Sequence, residues 1–364
     1  MTSRHAEPLL PASAAALPLR FSFVIANFNY GRFVGEAIES ALGQDWPALE
    51  VIVVDDGSSD DSRKVISAFG KRITALFQPN RGQRIANNAG FAASHGDVVV
   101  FLDADDVLER GFCRAVAGVW HPGVSKVQVQ MARIDGAGHP LGTLVPAIAV
   151  PPTARQIHTW AASACEYPTP PGSGNAYSRA FLSRFFPIGP EHDSSTDSTC
   201  LALAPLLGDV ETVLAPLASY RIHGENDSNL AAAPDRFGRE VRRAIVRQKS
   251  AEDICRALGE PGPEPGCINQ GRHLLQLRAA SLRLAPGSHP AEAGGWVRTL
   301  GDALLALRPY GYDSPRKRLL AVIWTLAVLF APQAIVRRLV DRRFARSGHS
   351  AGTQDPVRPL GAGA

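Results

Sequence analysis

"VVVFLDADD", Val98 to Asp106, decides the reading of the first half of this chain. Val98 to Leu102 are all apolar, and three carboxylates, Asp103, Asp105 and Asp106, then fall within four positions. An apolar run without alternation is the pattern of a strand in a parallel sheet covered on both faces. Like charge at the end of such a strand is unfavourable unless a cation or a proton relieves it. A hard divalent cation is the natural partner, and one or two carboxylates suffice when a substrate phosphate supplies the rest of the shell. One of the three, Asp106 foremost, can instead cap a following helix.

Two earlier stretches repeat the pattern, "RFSFVIANFN" from Arg20 and "LEVIVVDDGSSDD" from Leu49. Helix-like spacing lies around them at Phe33–Leu42, Ser59–Phe69 and Arg84–Ser94, so the order is β-α-β-α-β. Right-handed crossovers put the C-terminal ends of the strands on one edge, where open α/β sheets bind ligands. Asn27, Asp55, Asp56, Asp103, Asp105 and Asp106 should therefore converge on one crevice. In "VVDDGSS", Gly57 provides backbone freedom and Ser58 or Ser59 a cap. A carboxylate there can also accept the imide N–H of uracil, thymine or guanine, which adenine and cytosine lack.

The composition of the 364-residue chain, 45% apolar and 20% charged, excludes disorder as its general state. Its five cysteines are scattered and form no CxxC pair, so neither a disulfide framework nor a zinc site is expected and a reducing, cytoplasmic compartment fits best. Net charge is +4, with arginines crowded towards the C-terminus in "RFGREVRRAIVRQK" and "VRRLVDRRFAR". That asymmetry favours an anionic membrane surface; aromatics for stacking are few, and a nucleic-acid partner is not expected.

Residues 1–19 read as a disordered leader, 20–230 as the main domain, 231–315 as a helical region, 316–344 as a basic-flanked apolar helix and 345–364 as a disordered tail. The Pro- and Gly-rich segment 136–174 reads as long loops around a mixed sheet; helices follow at Ser198–Leu207, Asp235–Leu258 and Ile268–Leu284, with a short strand pair before "YRIHGENDSN". The apolar stretch Leu319–Val336 is 18 residues long, carries Pro332 and has arginines at both ends. It is compatible with a helix lying at a membrane interface, a helix packed in the soluble fold or a short span.

With these motifs in order, "FSFVIANFNYGRFVGEAIESALGQDWPALEVIVVDDGSSDDS" and "NRGQRIANNAGFAASHGDVVVFLDADDVL" resemble the N-terminal half of a family-2 glycosyltransferase, over about Phe21 to Asn229. The resemblance implies a GT-A fold, a Rossmann-like mixed central sheet flanked by helices, here with a C-terminal helical extension. It implies transfer of a sugar from a UDP, dTDP or GDP sugar to a glycan or lipid-linked acceptor, with inversion, and Mn²⁺ or Mg²⁺ as cofactor. The implied nucleotide-sugar residues are Ala26, Asn27, Asn29, Asp55, Asp56, Arg84, Asn88, Asp103 and Ala104, and the metal residues are Asp105 and His223. Asp197 takes the place of the general base, with Asp193 and Glu191 as alternatives nearby. Asn87 stands where many relatives have arginine, which leaves Arg81 or Arg84 for a diphosphate contact. A sugar-nucleotide nucleotidyltransferase and a non-catalytic nucleotide-sugar or membrane-binding module are the competing readings; the first would favour a Gly-rich basic loop after the first strand, and "ANFNYGRF" lacks one.

Overall fold

The computed structural model describes residues 18–193, 195–223, 233–308 and 311–344. The leader up to residue 17, the tail from residue 345 and the "GENDSN" end of the last motif lie outside them.

The first half is built as the apolar runs require. Strand β1 (Phe21–Asn27) is followed by α1 (Val34–Leu42), β2 (Leu49–Asp55), α2 (Ser62–Ser67), β3 (Thr74–Phe77), α3 (Gln83–Ala93) and β4 (Val98–Asp103). The four strands are parallel, in the order β3-β2-β1-β4. Phe21, Phe23 and Ile25 pack with Val34, Ala37 and Ile38 of α1, whereas Val24 and Val99 face the opposite core, so both faces of the sheet are covered. Burial of such side chains contributes roughly 1.5–3 kcal/mol each. Edge strand β3 was not expected from the sequence; it is short and half exposed, so its apolar pattern is weak.

The sheet then turns mixed. After β5 (Val107–Leu108) and α4 (Phe112–Gly118) come β6 (Val124–Asp135), β7 (Pro140–Val145), α5 (Ala154–Ala164), β8 (Asn175–Ser178), α6 (Arg179–Leu182), α7 (Thr196–Leu207) and β9 (Asp209–Ile222). The strand order continues from β4 through β8, β6 and β9 to β5, with β7 paired to β6. Segment 136–174, expected as loops, thus holds β7 and α5, whose start is a capping box of Thr153 with Gln156. The expected strand pair is instead the single strand β9, parallel to β6 along most of its length.

The rest is helical: α8 (Asp235–Leu258), α9 (Arg272–Leu284), α10 (Trp296–Leu305), α11 (Pro315–Phe330) and α12 (Gln333–Phe344). The apolar stretch 319–336 is divided between α11 and α12 at Ala331 and Pro332, where the missing N–H and the proline ring interrupt a helix. Val328, Leu329, Val336 and Val340 pack with Phe237, Leu274 and Leu277, while Leu319, Leu320, Ile323 and Phe330 are exposed. No helix among the described residues is long and apolar enough to cross a membrane.

Against expectation, Cys165 and Cys267 form a disulfide, 102 residues apart in sequence. It joins the end of α5 to the turn before α9, and it removes the ground on which a reducing compartment was expected. Beside it, Glu166 accepts hydrogen bonds from the His273 and Leu274 N–H groups at the start of α9, at 3.0 and 3.2 Å. Both contacts fasten the C-terminal helices to the sheet domain.

Candidate active site

Register brings the strand ends together: Asn27 pairs with Asp55, and Ala26 with Asp103. They open into a crevice of about 1050 Å³ whose lining includes Ala26, Asn27, Asp56, Asp103, Ala104, Asp105 and Asp197.

The first turn is locked by its own polar groups. Asp55 Oδ1 accepts from Asn27 Nδ2 at 3.0 Å, and Ser58 Oγ accepts from the Asn29 N–H at 2.9 Å. Asn29 adopts φ 59°, a left-handed conformation that a short polar side chain tolerates. Gly57 has φ +80°, and a Cβ there would lie 2.6 Å from the Asn80 nitrogen, so only glycine fits. Asp56 holds the loop before α3: it accepts from Gln78 Nε2 at 2.7 Å and from the Arg81 and Gly82 N–H groups at 3.0 and 2.7 Å. Asn27, which lines the crevice, is buried with its Oδ1 unpartnered.

In the turn after β4, each aspartate has a different environment. Burial and the charges of Asp106, Asp105 and Asp197 raise the Asp103 carboxyl well above the usual carboxylate range. Asp105 Oδ2 lies 2.9 Å from His223 Nε2, and the two side chains are 13% and 6% exposed. Asp106 is not a helix cap: α4 starts at Phe112, with Gly111 before it. Its Oδ2 accepts from Ser173 Oγ at 2.6 Å and its Oδ1 from the Arg221 N–H at 2.9 Å. Burial, with the Asp105 charge next, pushes it up to about 8. A capping role fails because this carboxylate is drawn inward to tie β4 to β9.

Asp197 sits in the first turn of α7 and accepts from Ser195 Oγ. A Cβ at Gly172 would be 3.4 Å from Asp103 Oδ2 and 3.5 Å from Asp197 Oδ2, so these two carboxylates face each other across the bare backbone of Gly172. Asp193 is instead buried against Arg243, 3.3 Å from its Nε, and Glu191 is exposed beside His192. Neither lines the crevice.

Arg84 and Asn88 also point elsewhere. Arg84 donates to the carbonyls of His192 and Asp193 at 3.0 and 3.4 Å, and Asn88 makes a reciprocal pair with the backbone of Ile188. The crevice's cations are Arg133, Arg243, Arg247, Arg342 and Arg343, from β6, α8 and α12. The sequence reading missed their place here; the crowding of arginine in α8 and α12 was their one signal. It also missed Arg221, a buried clamp whose Nε donates to the Asp105 carbonyl at 2.7 Å and whose Nη2 reaches Glu36 at 2.6 Å.

Whether a divalent ion fits can be judged from the donors. Asp105 and His223 present one hard oxygen and one imidazole nitrogen side by side, which suits Mn²⁺ or Mg²⁺ with substrate oxygens and water completing the shell. Among the described residues no cluster of three or more such side chains forms a complete protein cage. An ion shared with a diphosphate needs none.

The sequence profile described as "Glycosyl transferase family 2" matches residues 22–182. An uncharacterised glycosyltransferase of Nostoc sp. (strain PCC 7120) is 36% identical over 224 residues, 59% of this chain and 68% of that protein. The glycosyltransferase GlyG of Streptococcus pneumoniae is 34% identical over 93 residues, 24% of this chain, and the chain covers only 31% of GlyG. S. aureus TarS 1–349, solved with UDP-GlcNAc, superposes with a TM-score of 0.50 at 18% identity, covering 89% of this chain and 92% of that one, a likeness of fold. The parallel half-sheet with its carboxylate-lined edge, the matching profile and the long Nostoc alignment agree: the chain belongs to the family-2 glycosyltransferases and has their GT-A fold.

Proposed function

We propose that the protein moves a sugar from a nucleotide-diphosphate sugar to an acceptor hydroxyl with inversion, aided by Mn²⁺ or Mg²⁺. The observation that carries this reading is the meeting of Asp103, Asp105 and Asp197 in one crevice, with His223 against Asp105. The donor class is the one TarS holds. Its nucleoside lies along Ala26, Asn27 and Asp56, where the unpartnered Asn27 Oδ1 and the remaining lone pairs of Asp56 offer acceptors to an imide N–H. Asp103 faces the ribose side, and its raised carboxyl pKa suits hydrogen bonding in the protonated form as well as the ionised one.

Asp197 is the general base. It removes the acceptor hydroxyl's proton while the new C–O bond forms on one face of the anomeric carbon and the bond to the diphosphate breaks on the other. Such proton transfer is worth roughly 10² to 10⁴ in rate. A divalent ion held by Asp105 and His223 would supply charge neutralisation at the departing diphosphate. No protein nucleophile is needed for a single displacement.

The products belong to polysaccharide, cell-surface glycan or glycolipid synthesis. The protein works as a peripheral protein on a membrane surface: α10 and α11 expose Val297, Leu304, Leu319, Leu320 and Ile323, and Arg316, Lys317 and Arg318 start α11.

The test is a panel of UDP, dTDP and GDP sugars, scored for hydrolysis with Mn²⁺, with Mg²⁺ and with chelator, in the native protein and in Asp105→Ala. Metal-dependent release of nucleoside diphosphate from one donor, lost in the variant, is expected. Pyrophosphate release, or full activity in chelator, overturns the reading.

A further inference from the structure

The catalytic crevice is electrically divided. One end carries the carboxylates of Asp56, Asp103, Asp105 and Asp197; the helical region brings Arg243, Arg247, Arg342 and Arg343 to the other, and Glu240 is the only carboxylate among the lining residues there. Glu240 is already matched, 2.9 Å from Arg243. Arg247 and Arg342 have no hydrogen-bond or ion-pair partner among the described residues. Arg247 and Arg343 both act on His273, whose imidazole is held down at about 4 by burial and then by the charges of Arg343, Arg247 and Arg272. Arg243 is thus matched by Glu240 and Asp193, and Arg343 donates from its Nε to Gln276 Oε1 at 3.0 Å, which leaves the guanidinium groups of Arg247 and Arg342 for a phosphate, which accepts their fork-like N–H pairs.

This end also adjoins the general base. Arg243 is paired with Asp193, Asp193 Oδ1 accepts from the Ser195 N–H at 3.4 Å, and Ser195 donates to Asp197. Next to it opens a second cavity of about 330 Å³ between α5, α7, α8 and α9. Glu240, Arg247 and His273 line both spaces. The remainder of the second cavity is mostly apolar, including Ala161, Leu201, Leu206, Ala244 and Leu277. A charged mouth leading into an apolar chamber of this size suits a molecule with an anionic head and a hydrocarbon body.

We propose that the arginine end with its adjoining cavity is the acceptor subsite, and that the acceptor is a saccharide carried on a lipid phosphate or diphosphate. The arginines hold the phosphate, the cavity takes the first carbons of the lipid, and the sugar hydroxyl is presented to Asp197. The assignment rests on reading the crevice as a site of glycosyl transfer. It also gives the exposed apolar face of α10 and α11 a purpose, since the remainder of the lipid stays in the membrane.

Calorimetry on the full chain, in chelator so that metal-bridged binding at the carboxylate end is absent, tests this with farnesyl diphosphate, farnesol and inorganic pyrophosphate. Farnesyl diphosphate should bind at least about tenfold tighter than either fragment, and the Arg247→Gln/Arg342→Gln double variant should weaken it about 10- to 100-fold. Ala244→Phe, which fills the apolar chamber, should weaken farnesyl diphosphate and leave pyrophosphate alone; it keeps the test open if the arginine variant unfolds. Equal affinity for farnesyl diphosphate and pyrophosphate overturns the lipid acceptor. Equal affinity for farnesyl diphosphate and farnesol overturns the phosphate site, and so does an arginine variant that loses nucleotide-sugar affinity in place of farnesyl diphosphate affinity. Asp105→Ala should retain farnesyl diphosphate binding, so failure of donor turnover and failure of acceptor binding are read separately.

Discussion

His223 Nε2 lies 2.9 Å from Asp105 Oδ2, so the last strand of the sheet delivers an imidazole to the carboxylate that the fourth strand exposes. The ring is held by Tyr30 and Phe33, with centroids 5.7 and 5.2 Å away. His223→Ala should therefore raise the Mn²⁺ concentration needed for half-maximal activity by about tenfold or more. Asp105→Ala should cut kcat by about 10² to 10³, with an unchanged circular dichroism spectrum. A metal titration of donor hydrolysis measures both, and an unshifted metal requirement in His223→Ala would remove the histidine from the metal site.

Asp197 and Asp193 are separated by what they touch. Asp197→Asn should lower kcat by about 10² to 10⁴ while nucleotide-sugar affinity, read by thermal stabilisation, is kept. Asp193→Asn breaks the pair with Arg243, whose side chain is 24% exposed, and should cost about 1–2 kcal/mol of stability with a small effect on kcat. The reverse pattern would move the base to Asp193.

Gly172 is the gap between Asp103 and Asp197. Alanine there makes ordinary van der Waals contact at 3.4 and 3.5 Å and should fold and remain active. Valine adds atoms that reach into the space where donor and acceptor meet, and should reduce kcat/KM by about 10²-fold through misplacement. Wild-type kinetics in Gly172→Val would show that the reacting groups meet elsewhere.

Glu166 makes a signed prediction about pH. Burial raises its carboxyl from 4.5 to about 7, partly offset by the Leu274 N–H and Arg272, so the folded state holds more protons than the unfolded chain between about 4.5 and 7. Its contribution to stability is therefore lost as pH rises through that window. His273, held at about 4 from 6.5, has the opposite slope over nearly the same range, while the raised carboxyls of Asp103 and Asp106 add to the fall, so the profile of the native protein alone does not isolate Glu166. The stability of the native protein minus that of Glu166→Gln isolates the carboxyl, and should fall by roughly 3 kcal/mol from pH 4.5 to 7.5. Denaturant melts at four pH values measure it; a flat difference would show that folding does not raise the Glu166 carboxyl.

The parallel half-sheet was legible because its information is local. The apolar runs at Phe21, Leu49 and Val98 each contain their own strand, and the helix over Asp235–Leu258 appears with the bounds its pattern predicts. Where a pattern depended on distant partners, it was misread. Nothing in its local sequence marks Lys126 as interior, yet it is fully buried in β6, with Nζ donating to Gln128, Thr169 and Asn175 at 2.9 Å each, and burial holds its pKa far below the usual lysine value. Segment 136–174 reads as loops because proline and glycine dominate it, although Thr153 and Gln156 form the capping box of α5.

The same division runs through the crevice. Strand period and crossover handedness are enough to put Asn27, Asp55, Asp56, Asp103 and Asp105 on one sheet edge. What each does there depends on contacts made in the folded chain: Asp55 and Asp106 turn inward as struts, Arg84 and Asn88 turn away, Asp197 lines the crevice and Asp193 does not, and arginines from α8 and α12 enter the same space. The reason is physical. A residue's own neighbours set the direction of its strand or helix, but the hydrogen bond or charge that claims its side chain lies on a segment up to 185 residues away, as between Arg221 and Glu36, and no local period records that distance.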